Sequence, residues 1–333
     1  MGVSIRDVAA RAGVSVGTVS NVLNRPGSVP DATLERVRAA IGELGYVRND
    51  AARQLRAGRS TTVGLVVLDA RNPFFTDVAR GADDAAAEHG LSVLIGNSDE
   101  RAERELRLLS HFEEQRAHGL LISPIGDDVT RLRELRERGI PVVLVDRAVP
   151  GSGFSSVAVD DIHGGELAAR HLLERGRRRI AYVGGPAQLR QVADRAEGAR
   201  RAVAGVADAS LEVLPVASLT VADGREAGER LAVLATADRP DAVFAANDLI
   251  ALGVLQALVQ AGIAVPDDVA LIGYDDIDFA AAAAVPLSSI RQPSRTMGAT
   301  ALSLLVEEAA DPSLASRDVV FEPELVVRAS TAG

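Results

Sequence analysis

The sequence predicts an all-α helix-turn-helix head with a short hinge helix, followed by an α/β body of two doubly wound parallel-sheet subdomains. Three observations lead there. Two helical patterns separated by a glycine open the chain at residues 4 to 24, the sign of the charge reverses near Ser60, and wholly apolar runs then alternate with helix-length segments. The divisions fall at 1–48 for the head, 49–60 for the hinge and 61–333 for the body.

The head starts with a capping box, Ser4-Ile5-Arg6-Asp7, and its first helix runs to about Ala12. Gly13 breaks that helix, Val14 turns inward, and Ser15 caps a second helix from Val16 to about Leu23. At 100° per residue Val19, Val22 and Leu23 share one arc, while Gly17, Ser20, Asn21 and Asn24 share the opposite one. A face of short hydroxyls and amides suits a helix that must fit a DNA major groove, although a serine- and asparagine-rich solvent face would look the same. Leu34, Val37, Ile41 and Leu44 recur with helical spacing until Gly45 stops the third helix. In NDAARQLRAGRS, residues 49 to 60, Asn49 caps a run of good helix formers that Gly58 ends. Two turns are unstable alone in water, so this segment is expected to order only when something holds it.

Charge separates the parts. Residues 1 to 60 carry nine arginines against five acids, a net +4, while the remainder carries −14 of the overall −10. A basic head can dock on phosphate that an acidic body repels. With 333 residues and 47% hydrophobic content there is core enough for two or three domains. The absence of cysteine excludes disulfides and thiolate metal sites, and no export leader or membrane-spanning stretch is seen, so a cytoplasmic location is expected.

In the body the runs VGLVVL, LSVLIGN, GLLIS, PVVLVD, RIAYVGG, DAVFAAND and DVALIGYDD read as strands. No GxGxxG follows a strand, and Gly184-Gly185-Pro186 reads as a sharp turn instead of a dinucleotide site. Ligands of open parallel sheets sit beyond the carboxyl ends of the strands, which draws attention to Asp69, Asp146-Arg147, Asn247-Asp248 and Asp275-Asp276. Asp248 and Asp276 are read as turn or cap residues. The five histidines are scattered without a Ser-His-Asp set, so no enzymatic activity, cofactor or metal is expected.

IRDVAARAGVSVGTVSNVLN and LERVRAAIGELGYVRNDAARQLRAGRS, joined by NPFF (72–75), VDR (145–147), DRAEG (194–198), AAND (245–248) and GYDD (273–276), resemble the LacI/GalR family of bacterial transcription regulators almost end to end. The resemblance implies that Val16, Gly17 and Asn21 face bases and that Ser15, Thr18, Ser20 and Asn24 contact or position the DNA backbone. It implies that Leu55, on paired hinge helices, wedges into the minor groove. It also implies a periplasmic-binding-protein-like body with crossovers near 160, 290 and 322. There Asp146, Arg195, Asn247 and Asp275 would hydrogen-bond an effector, Phe74 and Phe75 would form an apolar wall, and Leu219 would stand beside them; Asp69 joins the site by its place at a strand end. Carboxylates, an amide and an arginine suit vicinal hydroxyls, so a sugar or polyol is the expected effector. Asn21 replaces a common arginine, Pro30 replaces a serine cap, and Leu219 stands where some relatives stack an aromatic on the ligand. Expected partners are double-stranded operator DNA and a second copy of the chain, with no membrane. A transport-type sugar-binding protein would share the body but lack the basic head. Without a leucine heptad tail, a dimer is expected instead of a tetramer.

Overall fold

The computed structural model describes residues 3–46, 60–186 and 188–332. Leu55 and the rest of the hinge helix expected after Asn49 lie outside the described residues. The chain divides into two compact units, Met1–Arg59 and Ser60–Gly333.

In the first unit, α1 (Ile5–Ala12), α2 (Val16–Asn24) and α3 (Asp31–Leu44) enclose a small core of Val8, Ala9, Ala12, Val19, Val22, Val37 and Ala40. The capping box forms. Ser4 N–H and Ser4 Oγ each donate to Asp7 Oδ2 at 2.8 Å, which holds the Asp7 carboxyl below the usual range, and the Asp7 N–H donates to Ser4 Oγ at 3.4 Å. Gly13 and Gly45 end α1 and α3 with φ of 64° and 61°, the left-handed region where glycine carries no penalty. Pro30 opens α3 without a side-chain cap, its carbonyl accepting from the Thr33 and Leu34 N–H groups.

The second unit holds two six-stranded sheets. One contains β1 (Thr62–Val67), β2 (Ser92–Asn97), β3 (Gly119–Ile122), β4 (Val142–Val145), β5 (Ser155–Val159) and β11 (Asp318–Phe321), all parallel, in the order β11-β5-β4-β3-β1-β2. The other contains β6 (Arg179–Gly184), β7 (Ser210–Pro215), β8 (Ala242–Ala245), β9 (Ala270–Asp275), β10 (Ser288–Arg291) and β12 (Glu324–Val326), in the order β12-β10-β9-β8-β6-β7. Its edge strand β12 is antiparallel, the one departure from an all-parallel expectation. Central strands are buried on both faces: in the first sheet Leu121, Val143 and Val145 pack to one side, while Leu120, Ile122, Val142 and Leu144 pack to the other. The edge strands β2 and β7 are mostly exposed.

Beyond the seven apolar runs and the strand-like VVFEPELVV (319–327), which holds most of β11 and all of β12, three strands escaped the reading. β5 and β10 each start with a pair of serines, and β7 is a half-polar edge strand. Their hydroxyls are buried because they are bonded: Ser156 Oγ donates to Asp318 at 2.6 Å and Ser289 Oγ to Asp248 at 2.7 Å.

The covering helices are α4 (Pro73–Glu88), α5 (Ala102–Glu114), α6 (Thr130–Glu137) and α12 (Ser294–Ala310) on the first sheet, with α7 (Asp161–Glu174), α8 (Arg190–Ala204), α9 (Val221–Ala232) and α10 (Asp248–Gln260) on the second. The five-residue α11 (Asp278–Ala282) follows β9. Three helix pairs cross at reciprocal glycines. A Cβ on Gly81 of α4 would fall 1.9 Å from Arg295 O of α12, and one on Gly298 would fall 1.9 Å from Val78 O. Gly165 and Gly198 make the same contact between α7 and α8, and Gly224 and Gly253 between α9 and α10. The chain passes between the subdomains at Asp160, at Gln292-Pro293 and at Glu322-Pro323. Two of these passages are tied, the Asp160 N–H donating to Phe321 O at 3.0 Å.

Candidate functional site

The exposed face of α2 presents Ser15, Val16, Gly17, Asn21 and Asn24, with Thr18 and Ser20 half-buried beside them. Val16 is 42% exposed. Ser15 Oγ caps the helix by accepting from the Thr18 N–H at 3.1 Å and lies 2.9 Å from Thr18 Oγ1. Asn24 Nδ2 donates to Ser20 O at 2.8 Å and Ser20 Oγ at 3.2 Å. These contacts fix short polar side chains along one stripe. A Cβ on Gly17 would meet only Ser15 Oγ at 3.6 Å, so packing does not demand glycine there; its effect is to leave helix backbone bare.

In the body, the carboxyl ends of β1, β4, β8 and β9 meet around one cavity of about 430 Å³ of empty space, counting its mouth. All eight body residues expected to form the effector site line it: Asp69, Phe74, Phe75, Asp146, Arg195, Leu219, Asn247 and Asp275. Phe74 and Phe75 meet edge to face, ring centres 5.0 Å apart, at the start of α4. Asp146 and Asp275 end their strands with φ of 69° and 104°, left-handed conformations that are costly for a non-glycine residue and persist only where the surrounding structure holds them.

Arg195 is the buried cation among these carboxylates. Its Nε donates to Asp161 Oδ1 at 2.7 Å, its Nη1 to Ala246 O at 2.7 Å, and its plane covers the Tyr274 ring at 3.7 Å. Asp275 Oδ1 lies 4.0 Å from the same guanidinium. One cation does not neutralise three buried acids. Burial, then repulsion from Asp161, pushes the Asp146 carboxyl well above its ordinary range; burial raises Asp161 to about 6 against the pull of Arg195, and raises Asp275 as well.

Several side chains are already engaged. Asn247 Oδ1 caps α10 by accepting from the Ile250 N–H at 2.9 Å, and its Nδ2 donates to Leu219 O at 3.3 Å. Arg71 Nε donates to both oxygens of Asp69. Asp248 bonds Ser289 and the Ile277 N–H, and Asp276 pairs with Arg291 and Arg328, so both strand-end neighbours fasten the fold.

Sequence reasoning missed Asn72, Glu100 and Gln191, which also line the cavity. Asn72 Nδ2 donates to Asp275 Oδ2 at 2.8 Å and Gln191 Nε2 to Asp146 Oδ2 at 2.6 Å, both from one subdomain to the other. Asn72 was signalled by its place before Pro73, an N-cap position; Gln191 carried no local signal. Among the described residues no cluster of acids and histidines could hold a metal ion, and no helix is long and apolar enough to cross a membrane.

Residues 4–49 match the description "Bacterial regulatory proteins, lacI family", and residues 169–331 match "Periplasmic binding protein-like domain". The chain is 37% identical to the ribose operon repressor of Bacillus subtilis (strain 168), over 91% of this chain and 90% of that one. It is 32% identical to the transcriptional repressor PurR of Aliivibrio fischeri (strain MJ11), over 98% of both. The Lac repressor dimer bound to operator and the anti-inducer ONPF superimposes with a TM-score of 0.84 at 25% identity, covering all of both chains. The head at residues 4–49 is what a transport-type binding protein would not carry.

Proposed function

The chain belongs to the LacI family of bacterial regulatory proteins, and from that premise we propose how it works. It is a DNA-binding transcription regulator with an effector-binding, periplasmic-binding-like body. It represses from the cytoplasm as a homodimer whose two heads sit about one helical turn apart on a pseudo-palindromic operator. Val16, Gly17 and Asn21 read base edges, while Ser15, Thr18, Ser20 and Asn24 hold the phosphates. Leu55, outside the described residues, is assigned the apolar wedge of the minor groove.

A sugar or polyol occupies the cleft. The observation that carries this is the convergence of Asp146, Arg195 and Asp275 in one buried cavity beside the Phe74–Phe75 wall. Carboxylates accept from hydroxyls, the guanidinium donates to them, and an aromatic wall covers the apolar face of a ring. The name of the ribose operon repressor points the same way. Ligand that prefers one subdomain arrangement shifts the spacing of the hinge segments and so couples to operator affinity.

The test is fluorescence anisotropy on a labelled operator from the chain's own promoter, titrated with ribose, glucose and sorbitol. A tenfold or larger change in operator affinity is expected with at least one of them. Adenine or hypoxanthine acting where none of the three does would replace the polyhydroxyl reading.

A further inference from the structure

Asp146 and Gln191 meet across the cleft, one just past β4 in the first subdomain and the other in the first turn of α8 in the second. Both are at most 4% exposed. Gln191 Nε2 donates to Asp146 Oδ2 at 2.6 Å, and Ser123 Oγ reaches the same oxygen at 3.4 Å. The other oxygen of each side chain, Asp146 Oδ1 and Gln191 Oε1, is buried without a partner.

One change satisfies both orphaned acceptors. An ionised carboxylate only accepts, so it offers nothing to Gln191 Oε1. A neutral carboxyl carries one O–H, and the amide is its complement: Oδ1–H donates to Oε1 while Nε2–H donates to Oδ2, which removes the penalty of two unpaired buried atoms together. The surroundings favour that proton. Asp161 of α7 and Asp275 at the end of β9 act on Asp146, Asp69 and Glu100 line the same cavity, and the buried cation among them, Arg195 of α8, is held by Asp161. Arg147, the next residue, turns its guanidinium onto Pro124 O, Ile125 O and Asp127. Asp194, also on α8, pairs with Arg190 and repels Asp161. Closing the cleft therefore strips water from Asp146 among like charges, the setting that holds a carboxyl neutral; opening it returns that water.

We propose that closing the cleft takes up one proton from solvent, held between Asp146 Oδ1 and Gln191 Oε1, and that opening releases it, so that pH and effector act on one equilibrium. Linkage sets the size of the effect: where the open state is ionised and the closed state is not, each pH unit changes the closed-to-open ratio about tenfold. This rests on the cleft being where the effector acts, and not on which molecule fills it.

The chain contains no cysteine, so Arg133→Cys on α6 and Arg190→Cys on α8 place spin labels on opposite walls of the cleft, one in each subdomain. Distances between them are measured by electron resonance on the full chain, without effector, from pH 5 to pH 9. The closed-to-open ratio is expected to fall at least tenfold over that range. Asp146→Asn reproduces the neutral acid, its N–H standing for the O–H, and should stay closed with less than a twofold change. Gln191→Leu should be open throughout. Where that variant does not fold, Gln191→Glu sets two acids against each other and should move closure to lower pH. Infrared spectra with isotope-labelled aspartate should show a protonated-carboxyl band at neutral pH that Asp146→Asn lacks. A distance indifferent to pH, an Asp146→Asn variant that opens or that keeps the original pH profile, or no difference in that band each overturns the proposal. None of these measurements involves a sugar, so failure here leaves the polyhydroxyl reading of the effector standing, and failure of that reading leaves the proton.

Discussion

Asn72 spans the cleft: its Nδ2 donates to Asp275 Oδ2 at 2.8 Å while its Oδ1 accepts from the Phe74 N–H at 3.0 Å, so one side chain both starts α4 and ties the subdomains. The two duties can be separated. Asn72→Asp keeps the cap acceptor but sets a second carboxylate against Asp275, and is expected to open the cleft and weaken effector binding about tenfold, roughly 1.4 kcal/mol. Asn72→Ala loses the cap as well and costs about 1 kcal/mol of stability. Small-angle scattering reads the opening, and an Asn72→Asp profile identical to the parent's would deny the bond any role in closure.

Asp275 also accepts from Gln292 Nε2 at 2.8 Å, at the point where the chain returns to the first subdomain. Asp275→Ala should abolish the effector's influence on operator binding while operator affinity without effector stays within about threefold, because the head forms its own core. A normal effector response in this variant would remove Asp275 from the binding set.

The body's fold was legible wherever strands were apolar on both faces, as in Val142–Val145 and Ala242–Ala245. It was illegible where a strand's burial depends on distant partners: nothing near Ser288 or Ser289 in sequence announces that Asp248, Arg328 and Thr331 will satisfy their hydroxyls. The site followed the same division. Asp146 and Asp275 could be found because strand ends are where such folds bind, but Gln191 lies in the first turn of α8 and matters only because the opposite subdomain brings Asp146 to it.

Gly17 offers a test of the head. Alanine fits the space and should stabilise α2 by about 0.5–1 kcal/mol, since glycine is a poor helix former. The same methyl would hold the helix off the base edges, so operator affinity is expected to fall at least fivefold while the melting temperature of the head rises. A rise in both would show that this face does not approach DNA closely.

Glu100 gives a pH signature. Burial, then repulsion from Asp69, raises its carboxyl to about 7, with the Leu219 N–H opposing. In the unfolded chain it titrates near 4.5, so the folded chain holds the extra proton between about 4.5 and 7; stability present at low pH is lost as pH rises through that window and stays lost above it. Glu100→Gln removes this loss. After allowing for partial solvent access, it should gain about 1 kcal/mol over the parent at pH 8 and little at pH 4, read from urea midpoints. Parallel pH profiles for the two proteins would rule the effect out.

The reciprocal glycine crossings have a mechanical consequence. With backbone resting on backbone at Gly81 and Gly298, at Gly165 and Gly198, and at Gly224 and Gly253, neighbouring helices have no side-chain cushion along which to slip. Each half therefore behaves as a stiff lever, and displacement imposed by a ligand is delivered whole to its other end instead of dissipating inside. The gain of the response is set by the three short passages at Asp160, Gln292 and Glu322, where stiffening would tune the switch without touching a single ligand contact.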